Sequence, residues 1–290
     1  MARKVVVGIG EALWDVLPDG KKVGGAPANF AYHASQFGCE GIAVSALGND
    51  PLGDELVERF DEKGLRYVMQ RNQYPTGTVQ VTLDAAGIPQ YEICEGVAWD
   101  NIEITPELDE LAERTDCVCF GSLAQRNGTS FGTISHFLDK MPESAIKVFD
   151  INLRQQFYTP EVLEASMHRC NILKINDDEL EILTSMFGLT GSEEHRSRQL
   201  MEKYGLKGLI LTCGTKGSYV FTADTVSFFE TPKVTVADTV GAGDSFTGAF
   251  CGSLLAGVPV RDAHRRAVDV AAYVCTQAGA MPELPSELKA

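Results

Sequence analysis

The residues best suited to chemistry lie together at Asp238-Thr239-Val240-Gly241-Ala242-Gly243-Asp244-Ser245-Phe246. There a polar turn, two glycines and a carboxylate run into Ala249-Phe250-Cys251-Gly252-Ser253-Leu254-Leu255, which reads as a helix. The glycines let the backbone turn without a Cβ penalty, and the free amides and dipole of a helix start attract an anion. A plainer role fits the same residues: Asp244 caps the helix, Gly241 and Gly243 serve the turn, and Gly248 and Gly252 allow close packing one helical turn apart. Because Asp244 sits inside the glycine turn rather than ahead of it, with Asp238 and Thr239 as a second polar anchor, anion site and cap stand level on these residues alone.

Such a turn needs strands and helices to hold it, and the rest of the chain supplies them. Val5 to Gly10 is a continuous apolar run of strand length ending at Glu11. Leu13 occupies the place where a dinucleotide-binding fingerprint needs a small residue, so that reading fails. Leu13 to Leu17 alternates, a turn follows at Pro18-Asp19-Gly20, and Gly24-Gly25-Ala26-Pro27-Ala28-Asn29 leads into a helix through Ala31, Ala34 and Phe37. Strand and helix signals then alternate: Ile42 to Leu47, helical Leu52 to Lys63, and a short strand near Tyr67 to Met69.

A hairpin with one wet face interrupts this rhythm, with Thr78 to Leu83 and Gln90 to Cys94 about a turn at Ala86-Gly87-Ile88-Pro89. With residues 12–24 it forms a small sheet standing off the body. Strand signals resume at Cys117 to Phe120, Ile146 to Ile151, Ile172 to Ile175 and Gly208 to Thr212. They are separated by helical stretches that include Ile134 to Lys140, Glu161 to His168 and Glu179 to Phe187. A hairpin over Ser218 to Thr222 and Val226 to Glu230 and a final helix from Asp262 to Thr276 complete the pattern. The pattern predicts a mostly parallel sheet with helices on both faces, whose ligands collect beyond the carboxyl ends of the strands. That rule selects the loops at 11–15, 150–154, 174–179 and 212–217.

Composition narrows the partners. A chain of 290 residues that is 44% hydrophobic can bury a large core. Its net charge of -15, without clustered Lys or Arg, argues against nucleic acid or an anionic membrane. The eight cysteines are scattered through apolar runs and read as buried, reduced thiols. With no signal-peptide pattern and no stretch of membrane-spanning length, a cytoplasmic setting is expected.

These patterns resemble the ribokinase/PfkB family of carbohydrate kinases over essentially the whole chain. Two signatures carry the likeness: Gly24-Gly25-Ala26-Pro27-Ala28-Asn29-Phe30-Ala31, with Gly38 and Gly48-Asn49-Asp50-Pro51-Leu52-Gly53, and Asp238-Thr239-Val240-Gly241-Ala242-Gly243-Asp244. Asn176-x-x-Glu179 lies between them. The resemblance implies a three-layer α/β/α fold with a mostly parallel central sheet, residues 1–290 as one kinase domain, and a β-sheet lid from segments 12–24 and 76–94. In relatives such lids often pair into a homodimer.

For the site, the resemblance implies Asp244 as general base for a sugar hydroxyl attacking the γ-phosphate of ATP, with the amides of Gly241, Ala242 and Gly243 as anion hole. Asp15, Gly25, Asn29 and Arg154, with Trp14 beside them, fall on the sugar side. Asn176 and Glu179 would organise Mg2+ and phosphate, partly through water, and Thr212, Gly214 and Gly217 would line the nucleotide. Asp238, the carbonyl of Val240 and Gly279 match a monovalent-cation site, which implies activation by K+. Glu283 stands where some relatives have a smaller polar residue, and Val268-Asp269 departs from their Asn-Ala run beside adenine. Gly10-Glu11-Ala12-Leu13-Trp14-Asp15, Gly121-Ser122-Leu123-Ala124-Gln125-Arg126, Trp99-Asp100 and Asp150-Ile151-Asn152-Leu153-Arg154 look most like the fructokinase branch. Fructose phosphorylated to fructose 6-phosphate is therefore the expected reaction. Ribose, 2-keto-3-deoxygluconate and a nucleoside are alternative acceptors, and a sugar or nucleotide sensor without turnover is the alternative of another class.

Overall fold

Alternate residues of the first strand, Val5–Ile9 (β1), enter opposite halves of the core, as a pleat covered on both faces requires. Val5, Val7 and Ile9 pack with Val118, Phe120 and Phe149, whereas Val6 packs with Cys117, Cys119, Phe246 and Phe250. The computed structural model describes residues 3–17, 20–83 and 89–289. The turn residues Pro18 and Asp19, and Ala86, Gly87 and Ile88 of the expected hairpin turn, lie outside them.

After β1 come Leu13–Leu17 (β2), Gly20–Gly24 (β3), helix Ala26–Ser35 (α1), Glu40–Gly48 (β4), Pro51–Glu62 (α2), Arg66–Asn72 (β5), Gly77–Leu83 (β6) and Pro89–Ile93 (β7). Pro106–Glu113 (α3), Cys117–Phe120 (β8), Gly128–Lys140 (α4), Ile146–Asp150 (β9), Pro160–Arg169 (α5), Ile172–Asn176 (β10), Asp177–Phe187 (α6), Glu193–Tyr204 (α7) and Gly208–Thr212 (β11) continue the alternation. Ser218–Thr222 (β12), Val226–Phe229 (β13), Ala242–Leu255 (α8), Val260–Cys275 (α9) and Ser286–Lys289 (α10) close the chain.

The main sheet has the order β13-β12-β11-β10-β9-β8-β1-β4-β5, parallel from β11 to β5, with β12 and β13 antiparallel at one edge. Apolar faces of α3 to α7 share one core half with the sheet, and those of α1, α8 and α9 share the other. The result is the expected three layers. Above them stands a second sheet, β3-β2-β6-β7, in which β2 and β6 run parallel and the two hairpins are antiparallel.

Several elements differ from expectation. The strand near Tyr67 to Met69 extends over Arg66–Asn72 and pairs with β4 from Ile42 to Gly48. The helix expected at Asp262 begins at Val260, and it is not the last, because α10 follows it. Four residues are too short to show a helical period. Helices α3 and α7 went unnoticed, although Thr105 before Pro106 and Ser192 before Glu193 are N-caps whose oxygens accept from the amides of Leu108 and His195.

Helix α1 lies unusually close to the sheet. A Cβ on Gly8 would collide with the carbonyl of Pro27, and one on Gly41 with that of Ala31. Backbone cannot move aside as a side chain can, so Gly8→Ala should cost about 3 kcal/mol of stability through overpacking, read as a lowered thermal midpoint. Unchanged melting would show that α1 can shift on β1.

Candidate active site

The head of α8 forms around Gly241, its N-cap, whose φ of 79° suits glycine. A Cβ there would press on Ala280, at 2.6 Å from its Cβ. In the first turn of α8, Asp244 does not act as the cap: among the described residues its only hydrogen bond comes from Asn29, whose Nδ2 donates to Oδ2 at 2.8 Å. That geometry removes the cap role from Asp244. The first-turn amides of a helix lack intrahelical partners; here the Ala242 amide meets the Thr239 carbonyl at 3.3 Å, and no side chain caps the helix among the described residues.

Charge is concentrated around this carboxylate. Burial and the neighbouring Asp150 raise Asp244 to about pH 6, against the pull of Asn29, Lys174 and Arg154. Lys174 is buried in β10 and donates its ammonium to Asp150 Oδ2 at 2.7 Å. Burial works against its charge, but Asp150, Asp244 and Glu179 together outweigh that and hold it above the usual lysine value. A Cβ on Gly243 would lie only 3.2 Å from Lys174 Nζ, so this glycine lets the ammonium approach the turn. At the end of β1, Glu11 is pushed up to about 7, chiefly by burial.

The expected sugar-side residues surround the same point. Asp15 on β2 is half-buried with its carboxyl raised by burial, and the charge of Arg154 is the strongest opposing influence. Gly24 makes room for the Asp15 carboxylate, since a Cβ there would sit 2.7 Å from Oδ2. Gly25 is the N-cap of α1 with φ 121°, where a Cβ would meet the Glu11 carbonyl at 2.5 Å. Arg154 is exposed and bears on Glu11, Asp15 and Asp244. It is bracketed by two non-glycine residues with left-handed backbone, Asn152 (φ 43°) and Gln155 (φ 48°), a strained loop of the kind that persists where structure over-determines it. Gln155 Nε2 donates to the Tyr91 carbonyl of the small sheet at 2.7 Å. Trp14 corrects its expected place beside the sugar: it is 2% exposed, and its indole N–H is committed to the Leu52 carbonyl at 2.9 Å.

On the nucleotide side, Asn176 and Glu179 form a reciprocal capping box at the start of α6, with Asn176 Oδ1 accepting from the Glu179 amide and Glu179 Oε2 from the Asn176 amide, each at 2.8 Å. Glu179 Oε1 also accepts the amide of Leu153 at 2.9 Å. Both carboxylate oxygens are therefore engaged, leaving lone pairs for a water but no open face for direct ligation; this fits a hydrated Mg2+. Thr212 ends β11, and Gly214 and Gly217 lie in the turn to β12, both with positive φ. A Cβ on Gly217 would collide with the Phe229 carbonyl.

Asp238 receives the amide of Val240 on Oδ1 at 3.1 Å and Lys22 Nζ, from β3, on Oδ2 at 3.2 Å. Burial works upward on its carboxyl, but these donors and the Gly279 amide hold it below its usual range. Lys22 of the small sheet thus meets one of the residues to which the resemblance assigns K+.

Three residues of the constellation had no role from the sequence: Glu11, Asp150 and Lys174. A visible signal existed for Lys174, a cation within the strand run Ile172-Leu173-Lys174-Ile175, because such a residue stays buried only with a partner.

Comparison with known proteins agrees with this geometry. The pfkB family carbohydrate kinase model matches residues 18–287. The uncharacterized sugar kinase PH1459 of Pyrococcus horikoshii is 29% identical, over 81% of this chain and 74% of its own length. Its crystal structure superposes with a TM-score of 0.81, covering 96% of this chain and 94% of that one at 27% identity; it has also been solved in complex with ATP. An ATP-dependent 6-phosphofructokinase of Thermoanaerobacterium thermosaccharolyticum is 29% identical over 91% of this chain and 82% of its own. A fructokinase of Salmonella typhimurium is 26% identical over 96% and 95%. With the family model spanning nearly the whole length and the glycine turn, lid and strand ends all in place, the chain belongs to the pfkB family of carbohydrate kinases.

Proposed function

We propose that this chain transfers the γ-phosphoryl group of ATP to a sugar hydroxyl, with fructose as acceptor and fructose 6-phosphate as product. One observation carries the reading: Asp244, in the first turn of α8, is turned from the helix amides toward Asn29, leaving base and anion hole side by side. Asp244 accepts the acceptor hydroxyl's proton, and the amides of Gly241, Ala242 and Gly243, with Lys174 behind Gly243, stabilise charge on the transferred group. Thr212, Gly214 and Gly217 receive the nucleotide. Asn176 and Glu179 orient the waters of Mg2+, which on binding neutralises the β- and γ-phosphate oxygens. The small sheet covers the acceptor and excludes water, favouring transfer over hydrolysis.

At the acceptor end Asp15 stands with the exposed cations Arg154 and Lys22, and a carboxylate of this kind accepts from the hydroxyls of a sugar. Asp15, Gly25, Asn29 and Arg154 would hold its hydroxyls. A sensor without turnover would have no need of a carboxylate poised near neutrality in that position.

Initial-rate assays of ADP formation across fructose, fructose 6-phosphate, ribose, 2-keto-3-deoxygluconate and nucleosides should give the highest kcat/KM with fructose; a preference for fructose 6-phosphate, or no turnover at all, would overturn the assignment. Asp244→Asn should lower kcat by about 10²–10⁴-fold, the usual worth of a general base, while ATP binding persists. Since the ionised form of Asp244 is the active one, kcat/KM should fall as pH drops through about 6; an acid limb near pH 4 would mean that the carboxylate is not held as described. With Lys22 on Asp238, K+ should stimulate Lys22→Met more than the wild type.

A further inference from the structure

Phosphoryl transfer as proposed leaves Glu11, two residues beyond β1, without a task. Glu11 is 4% exposed, its carboxyl accepts the amide of Ala26 in the first turn of α1 together with its own amide, and its Oε2 has no partner among the described residues. Asn29, three residues beyond Ala26 on α1, gives Nδ2 to Asp244, and its own Oδ1 is likewise buried without a donor. Side chains on a helix lean toward its N-terminus, and it is at this N-terminus, beside the Ala26 amide, that the Glu11 carboxyl lies. Two orphaned acceptors in one dry turn are costly, and one proton on Glu11 satisfies both. The charged groups facing Glu11 are Asp244 from α8 and Arg154 from the loop after β9; behind Asp244 stand Asp150 of β9 and Lys174 of β10.

We propose that Glu11 is a positioning residue for the catalytic base: its neutral carboxyl donates from Oε2 to Asn29 Oδ1 and thereby holds Nδ2 toward Asp244. An amide can rotate end for end. With Oδ1 toward Asp244 it would repel the carboxylate it now binds, and the proton on Glu11 selects against that orientation. Burial supports the assignment by pushing Glu11 up to about 7, the charge of Asp244 adding to it and that of Arg154 opposing it. Above that pH the donation is lost and a second negative charge appears beside an anionic transfer. The catalytic half of the proposal rests on Asp244 acting as the base, whereas the proton on Glu11 is observable without turnover.

Infrared difference spectra of the full chain, with isotope-labelled glutamate to separate Glu from Asp bands, should show a protonated buried glutamic acid titrating near pH 7. The band should be absent in Glu11→Gln and should titrate lower in Asp244→Asn, where the neighbouring charge is gone. A Glu11 carboxylate ionised throughout about pH 5 to 8 overturns the proposal, whatever the enzyme phosphorylates. In kinetics, kcat should fall from wild type to Glu11→Gln to Glu11→Ala, the last by about tenfold or more, because the amide of Gln restores a donor that Ala lacks. The losses from Glu11→Ala and Asn29→Ala should combine less than multiplicatively, since both break one contact. Fully multiplicative losses, or Glu11→Gln no better than Glu11→Ala, would show a merely structural carboxyl. Should Glu11→Ala fail to fold, the infrared titration decides alone.

Discussion

Three carboxyls, Asp150, Glu179 and Asp244, meet one buried ammonium, Lys174, with a fourth, Glu11, beside Asp244, at the carboxyl ends of β1, β9 and β10 and the head of α8, and the rest of the structure must make that crowd tolerable. Like charges in a dry site cannot all ionise freely. The chain resolves the conflict group by group. Asp150 is tied to Lys174, Glu179 is tied to two backbone amides, Asp244 is held by Asn29, and Glu11 is pushed toward its neutral form. What remains is Asp244, raised to about 6 and, unlike Glu11, partly open to the cleft, a property suited to a general base.

Helix α1 is the rail on which this arrangement is aligned. Asn29, His33 and Gln36 follow one another along one side of it. Asn29 holds Asp244, His33 Nε2 meets the Ala280 carbonyl at 2.8 Å, and Gln36 bonds both the Pro282 carbonyl and the Leu284 amide. Burial lowers His33 to about 4, so it remains a neutral strut at working pH. The rail can do this only because Gly8 and Gly41 let it rest directly on β1 and β4. Stability at the glycines and alignment at the site are consequently one property seen from two sides of the helix.

Much of this was legible in the residues. The strand and helix rhythm, the hairpins of the small sheet and the glycine turn with its internal carboxylate each leave a local pattern that the fold follows in outline, while α3, α7 and α10 add to it and β5 outruns its signal. Asp150 was not legible because a charge at a strand end looks the same whether it meets solvent or a buried partner; Lys174, inside an apolar strand, signals a partner without naming which one, 24 residues away. Trp14 misled for a related reason. An aromatic next to a binding motif can face either side of its strand, and only the packing of α2 against β2 turns its indole to the Leu52 carbonyl. Asn176 and Glu179 show the reverse case, where the plain role of helix cap is real and coexists with the place in the cleft.

The hydrogen bonds that complete the cleft span great stretches of chain: Asn29 to Asp244 joins residues 215 apart, Lys22 to Asp238 joins residues 216 apart, and His33 to Ala280 joins residues 247 apart. Contacts of such separation form late, because the intervening chain must be ordered before they can hold. The hairpins of the small sheet and the βα units can each take shape locally as the chain emerges. The catalytic turn cannot, and it acquires its partners only when the last third of the polypeptide docks onto the first. A half-made molecule therefore has a recognisable body and no working centre.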